Sequence, residues 1–110
     1  MAQPSDERRD SLRVPFRFQV REAAVGGSFV EREGNLALGG IDYAGRHPPV
    51  GAVVEVRFLI PGHFEEIMAL AEVLRVSKEG EQFGAHIRFS EIAVESELAV
   101  ARYLQAAGQP

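Results

Sequence analysis

Short stretches in which apolar and polar residues alternate are the feature that most constrains how this chain folds. The clearest examples cover residues 13–21, 51–60 and 83–89, and Pro61-Gly62 ends the second of them. Such alternation places one set of side chains on a core and the other in solvent, so each stretch predicts a half-buried β-strand.

Three further segments carry weaker strand signals. Residues 28–33 form a candidate strand that we expect Gly34 to end, and residues 35–43 predict a turn followed by a strand. Residues 67–77 are rich in Ala, Leu and Val, and propensity alone would allow a helix there. The turn-like residues 78–81, followed at once by an alternating segment, favour a strand in a hairpin.

Only the last segment has helical periodicity. Val94, Leu98, Ala101 and Leu104 recur every three or four residues, which predicts an amphipathic helix over about 93–107. Five or six strands followed by one helix indicate an all-β fold, a small antiparallel barrel over about 13–90. We expect one domain over 9–107 and a flexible tail over 1–8, where the residues are polar and have nothing to bury.

Composition excludes several classes of protein. The chain has 110 residues, a net charge of −4 and no cysteine. Disulfides and thiolate metal sites are therefore excluded, and the acidic balance disfavours a nucleic acid polymer as partner. Neither a signal peptide nor a membrane-spanning stretch is evident, so we expect a cytoplasmic protein without membrane insertion.

No set of residues indicates an enzyme or a metal site. The sequence has no nucleophile elbow and no phosphate-cradling loop, and His47, His63 and His86 are scattered without metal-ligand spacing. His86 falls on the polar side of its alternating stretch, where we expect it to be exposed. We therefore predict no catalytic residues, no metal and no cofactor.

Two short motifs carry binding chemistry. Arg9 and Arg13, with Arg8 beside them, offer guanidinium groups that can pair with phosphate or stack on a purine. Asn35 offers an amide suited to a base edge, and Gly39 and Gly40 allow positive φ or close backbone approach. Taken alone, each motif favours an interpretation without a ligand: Arg8 and Arg9 as solvated tail residues and Arg13 at the start of a strand, and Asn35–Gly40 as a β-bulge or turn.

Taken together and in order, these segments resemble the PilZ domain family. Arg9-x-x-x-Arg13 is similar to its first motif, and Asn35-Leu36-Ala37-Leu38-Gly39-Gly40 is similar to its second motif, Asp/Asn-x-Ser-x-x-Gly. Residues 51–56, 71–76 and 83–89 are also similar to strands of that family. The resemblance covers nearly the whole chain and implies a six-stranded PilZ-type β-barrel with a C-terminal helix.

The resemblance also implies a ligand, the bacterial second messenger cyclic di-GMP. Arg9 and Arg13 match the arginines that grip phosphate and guanine, Asn35 matches the residue that reads guanine, and Gly40 matches the closing glycine. Arg8 is expected to assist, and Gly39 lies in the same turn. Ala37 stands where the family has serine, and the loss of that hydroxyl removes a hydrogen bond worth about 0.5–1.5 kcal/mol.

Two functions follow from this resemblance. One is a cyclic di-GMP receptor that relays the level of the messenger to an unidentified effector protein, with motility, surface attachment or exopolysaccharide control as output. The other, motivated by Ala37, is a protein-interaction adaptor that keeps the barrel without binding nucleotide, for example in type IV pilus function.

Overall fold

Six strands and one helix follow one another in the computed structural model, which describes residues 14–79 and 82–108. The elements are β1 (Val14–Glu22), β2 (Val30–Leu36), β3 (Gly40–Ala44), β4 (Val53–Phe58), β5 (Ile67–Glu79), β6 (Gln82–Ile92) and α1 (Val94–Ala107). The strands close into an antiparallel barrel in the order β1-β2-β3-β6-β5-β4. This confirms the predicted fold, including a strand rather than a helix over 67–77. The tail predicted over 1–8 lies outside the described residues.

The barrel interior is filled by the apolar half of each alternating strand. In β4, for example, Val54, Val56 and Phe58 are buried, while Glu55 and Arg57 between them are half-buried on the outside. Aromatic rings add contacts inside, with the Phe18 ring centroid 5.3 Å from that of Tyr43 in an edge-on arrangement. Burying this apolar set supplies the main driving force for closure.

Gly34 does not end β2, contrary to the expectation from sequence. The strand continues through Gly34 to Leu36. A Cβ on Gly34 would lie 2.9 Å from the Cβ of Tyr43 and 3.2 Å from Cε1 of Phe18. The backbone carbonyl oxygen of Asp42 would lie closer still. Glycine is therefore present because the neighbouring strand backbone and these side chains occupy that space, and a glycine of this kind marks close approach rather than a strand end.

Helix α1 packs on the barrel through one face. Ala99, Val100 and Leu104 are buried and belong to the same apolar cluster as the barrel interior. Glu95 and Glu97 lie in the first turn, where negative charge stabilises the helix dipole.

A stacked side-chain cluster holds the β1–β2 connection against the outside of the barrel. The ring of Phe29 contacts two guanidinium groups, with Cζ of Arg21 4.5 Å and Cζ of Arg57 4.0 Å from the ring centroid. Arg21 also donates from Nε to Glu55 Oε1 at 2.7 Å. These contacts fix the segment from which β2 begins.

Candidate functional site

Asn35 lies near the end of β2 with its side chain exposed on the outer face of the barrel. Its neighbour Leu36 is fully buried, and successive strand residues point to opposite faces. In the sheet, Asn35 lies opposite Pro15 of β1 on one side and Asp42 of β3 on the other. The strand that follows the arginine motif therefore runs directly beside Asn35.

A tight turn joins β2 to β3. The Ala37 N–H donates to the Gly40 carbonyl oxygen at 2.9 Å, and the Phe89 N–H donates to the Gly39 carbonyl oxygen at 2.8 Å. The turn is thus fastened both to itself and to β6. Ala37 is half-buried, whereas Leu38 and Gly39 are exposed.

The two glycines of this turn have different surroundings. Gly40 is buried, and a Cβ there would lie 3.0 Å from Cα of Arg88 and closer still to the carbonyl oxygen of Ile87. A Cβ on Gly39 would meet no atom within 4 Å. Neither glycine has positive φ. The sequence offered two explanations for these glycines, positive φ and close backbone approach. Close backbone approach explains Gly40, and neither explanation applies to Gly39.

Asn35 is the first of four polar residues that lie side by side across four strands. Asp42 on β3 pairs with Asn35, His86 on β6 pairs with Asp42, and Arg75 on β5 pairs with His86. The next row toward the turn joins Gly40, Arg88 and Glu72 in the same way. The outer face beside Asn35 therefore combines amide, carboxylate, imidazole and guanidinium groups.

The sequence predicted an exposed His86, and this prediction is wrong, because the residue is half-buried. Its Nδ1 contacts Oδ1 of Asp42, and the side chains of His86 and Asp42 are 23% and 28% exposed. Sequence reasoning missed this pair because the two residues are far apart in the chain. Alternation does place His86 on the outer face, but only the strand register identifies the residue that lies opposite.

Tyr43 follows Asp42 in β3, and its side chain is buried. Burial raises the pKa of Tyr43, and the positive charge of Arg32 partly opposes the shift. Tyr43 belongs to the barrel core and stays neutral at physiological pH, so it does not contribute charge to the outer face.

The remaining predicted site residues, Arg8, Arg9 and Arg13, lie outside the described residues. Within 14–79 and 82–108, no group of three or more His, Asp or Glu side chains could hold a metal ion. In the same ranges, none of the helical structure has the length and apolar character needed to span a bilayer.

Comparison with known proteins gives a family match over most of the chain. A family model described as PilZ domain matches residues 7–106, a range that includes both the arginine motif and the Asn35–Gly40 motif. No curated protein matches the sequence significantly.

Two solved structures share the fold. The Bacillus subtilis inhibitor of motility MotI/DgrA is 19% identical with a TM-score of 0.70, over 89% of this chain and 52% of that protein. This chain therefore spans about half the length of MotI/DgrA. The PilZ domain of CeSA from a cellulose-synthesizing bacterium is 19% identical with a TM-score of 0.61, over 87% of this chain and 95% of that domain.

At such identities the structural likeness establishes the barrel alone, whereas the family model covers nearly all of the sequence. PilZ domains are generally receptors for cyclic di-GMP and act as receptor or adaptor domains rather than as enzymes. The chain belongs to the PilZ domain family.

Proposed function

We propose that this protein is a cyclic di-GMP receptor that passes the level of the messenger to an effector protein. The observation that carries the proposal is the family match over 7–106, which spans Arg9, Arg13, Asn35 and Gly40 together. The arginines would pair with phosphate and guanine, and Asn35 would read a guanine edge. Arg8 would assist the arginine pair, and Gly39 and Ala37 would line the turn.

The position of Asn35 supports this proposal. Its amide is exposed on the outer face, and β1, the strand that follows the arginine motif, is paired with β2 at that point. An exposed amide on a rigid strand can present its donor and acceptor to a base without first ordering itself. The turn that carries Ala37 is held by backbone hydrogen bonds, so the backbone beside Asn35 keeps its shape.

The decisive experiment is a calorimetric titration of the purified chain with cyclic di-GMP. Arg9→Ala and Arg13→Ala should each weaken binding about ten- to a hundredfold, the value of a lost charge-assisted hydrogen bond. Arg102→Ala, which removes an exposed arginine from helix α1, is the matched control and should leave affinity unchanged. Absence of binding heat at tens of micromolar ligand, with folded protein, would refute the receptor.

The receptor would act in the cytoplasm through a separate partner. The family and the names of the two structural relatives suggest motility or exopolysaccharide production as the controlled process, and surface attachment belongs to the same group of outputs. The dinucleotide can shift the receptor between two conformations, and so signal to a partner, only if its contacts differ between those conformations.

An adaptor that does not bind nucleotide is the second candidate. Ala37 favours it, because alanine stands where the family has a hydroxyl. A pull-down with purified chain as bait distinguishes the two: the receptor should capture its effector in a dinucleotide-dependent way, and the adaptor should capture it equally with and without dinucleotide.

A further inference from the structure

A cavity opens at the end of the barrel opposite the Asn35–Gly40 turn. We call it the barrel mouth; it has a volume of about 310 Å³ and is lined by Val25, Val30, Arg32, Tyr43, Arg46 and Pro48 among others. Strand β2 runs from Val30 at the mouth to Leu36 beside the turn, a span of about 20 Å at the usual rise of a strand. The barrel mouth is therefore separate from the motif at the turn.

Arg32 faces the inside of the barrel rather than its outer surface. It lies opposite Phe18 in the β1–β2 ladder, and Val30, two residues earlier, lies opposite Val20. Phe18 and Val20 are both buried core residues, and directly opposed residues of an antiparallel pair share a face. The half-buried Arg32 side chain therefore brings a guanidinium group to the mouth from a position where alternation places core side chains.

No carboxylate in the described part of the chain pairs with the positive charge at this mouth. Neither Arg32 nor Arg46 forms an ion pair there, and Glu22, which also lines the cavity, reaches neither of them. The third arginine of the lining, Arg21, is already paired with Glu55 at 2.7 Å. A bound anion would therefore stabilise a partly buried charge that these residues leave uncompensated.

The hydroxyl of Tyr43 is a further donor at the mouth. The ring belongs to the core cluster, and the residue also lines the cavity. The positive charge of Arg32 partly opposes the rise that burial causes in the pKa of Tyr43, because the two groups are close. Among the described residues, none forms a hydrogen bond with this hydroxyl. The phenol can therefore donate to an anion that lies against Arg32.

Apolar side chains surround these donors. Val25 and Val30 are exposed, and Pro48 is half-buried. The segment that carries Val25 is held in place, since Nη1 of Arg21 donates to the Gly27 carbonyl oxygen at 2.8 Å. A cavity of a few hundred cubic ångströms with apolar walls and a few convergent polar groups has the usual character of a small-ligand site.

We propose that the barrel mouth binds a carboxylate carried on a small apolar group. Arg32 and Arg46 pair with the carboxylate, whose two oxygens match the planar guanidinium fork, and the Tyr43 hydroxyl donates to it. Val25 and Val30 contact the apolar group, and a bare anion such as phosphate would leave them exposed. The site uses neither binding motif, so it stands or falls independently of the proposed receptor function.

The experiment is a tyrosine fluorescence titration without dinucleotide. The chain has two tyrosines and no tryptophan, so in a Tyr103→Phe background the signal comes from Tyr43. A carboxylate that accepts a hydrogen bond from a phenol quenches its fluorescence, and isocaproate should therefore quench Tyr43. Acetate lacks the apolar group and isocaproamide lacks the charge, so each should bind at least about tenfold more weakly.

Substitutions of the arginines test the assigned contacts. In the same background, Arg32→Gln should weaken isocaproate binding about ten- to a hundredfold, the value of a partly buried charge-assisted contact. Arg46→Gln should weaken it about two- to fivefold, because Arg46 is exposed to solvent. Arg102→Gln, which changes an exposed arginine on α1, is the matched control and should bind as the background does.

A short peptide that ends in leucine distinguishes two sources of this chemistry, because it carries the same apolar group beside a terminal carboxylate. Tighter binding of the peptide than of isocaproate supports the site and assigns it to the C-terminus of a partner protein. Equal or weaker binding of the peptide, with isocaproate bound, supports the site and assigns it to a free acid.

Three results would overturn the proposal. One is the absence of quenching at tens of millimolar isocaproate with folded protein, and another is equal binding of isocaproate and isocaproamide. The third is unchanged affinity in both Arg32→Gln and Arg46→Gln. If thermal melts show that Arg32→Gln does not fold, the exposed Arg46 decides, and unchanged affinity in Arg46→Gln alone then overturns the proposal.

Discussion

Replacing Gly40 with alanine should destabilise the barrel even when no ligand is present. The new Cβ would lie 3.0 Å from Cα of Arg88 and nearer still to the carbonyl oxygen of Ile87, and both are backbone atoms that cannot rotate away. Gly40 pairs with Arg88 in the β3–β6 ladder, so the clash is relieved only by separating these strands. Forcing an extra carbon into a packed site costs about 1–3 kcal/mol.

Gly39→Ala is the matched control, one residue away in the same turn. A Cβ there meets nothing within 4 Å, and the backbone of Gly39 does not require positive φ. Alanine at such a site typically stabilises a protein by about 0.4–1 kcal/mol, because it restricts the unfolded chain. The two substitutions should therefore change stability in opposite directions.

Thermal unfolding followed by circular dichroism measures this contrast. At about 4 °C per kcal/mol for a domain of this size, Gly40→Ala should lower Tm by roughly 4–12 °C, and Gly39→Ala should leave it unchanged or slightly higher. The measurement is made without dinucleotide, so that ligand binding cannot contribute. Equal melting temperatures for the two variants would refute the explanation of Gly40 by close packing.

Three further substitutions test the turn at Ala37, the buried Tyr43 and the cluster around Phe29. Ala37→Ser should tighten cyclic di-GMP binding about three- to tenfold in a calorimetric titration by restoring a hydroxyl, and weaker binding would contradict the role assigned to this position. Burial raises the pKa of Tyr43, so the stability gained by burying its neutral phenol is fully present below pH about 10 and is lost as pH rises further. Denaturant titrations should therefore show a smaller alkaline loss of stability for Tyr43→Phe than for wild type. Phe29→Ala removes contacts with Arg21 and Arg57 worth about 0.5–1 kcal/mol each, so it should lower the chemical denaturation midpoint. A midpoint equal to that of wild type would show that this cluster does not stabilise the fold.

The barrel was predictable because three of its six strands carry an unambiguous period of two. Residues 14–20 and 53–58 alternate between core and solvent in the structure as they do in the sequence. The end of β2 was not predictable in this way. Gly34 has the sequence signature of a strand break, and only the close approach of the β3 backbone at Asp42 and of the Tyr43 and Phe18 side chains explains why a glycine lies inside the strand.

The candidate site was predictable only where it is local in sequence. Asn35 and the turn to Gly40 form a short motif that can be found by inspection. The pair of His86 and Asp42 depends on the register between β3 and β6, and the pairing of β6 with β5 shifts at Val73–Arg75. Contacts set by register and by such irregularities are not visible in a single sequence.

Substitutions at Asn35 and at Gly40, both in the second motif, test different properties of the protein. Gly40 lies in the contact between β3 and β6, so a loss of binding in a Gly40 variant would mix strand separation with any loss of ligand contact. The Asn35 side chain is exposed, and its removal leaves the core and the backbone ladder intact. Binding measurements on Asn35 variants therefore test recognition of the dinucleotide, whereas measurements on Gly40 variants test the barrel wall on which that recognition depends.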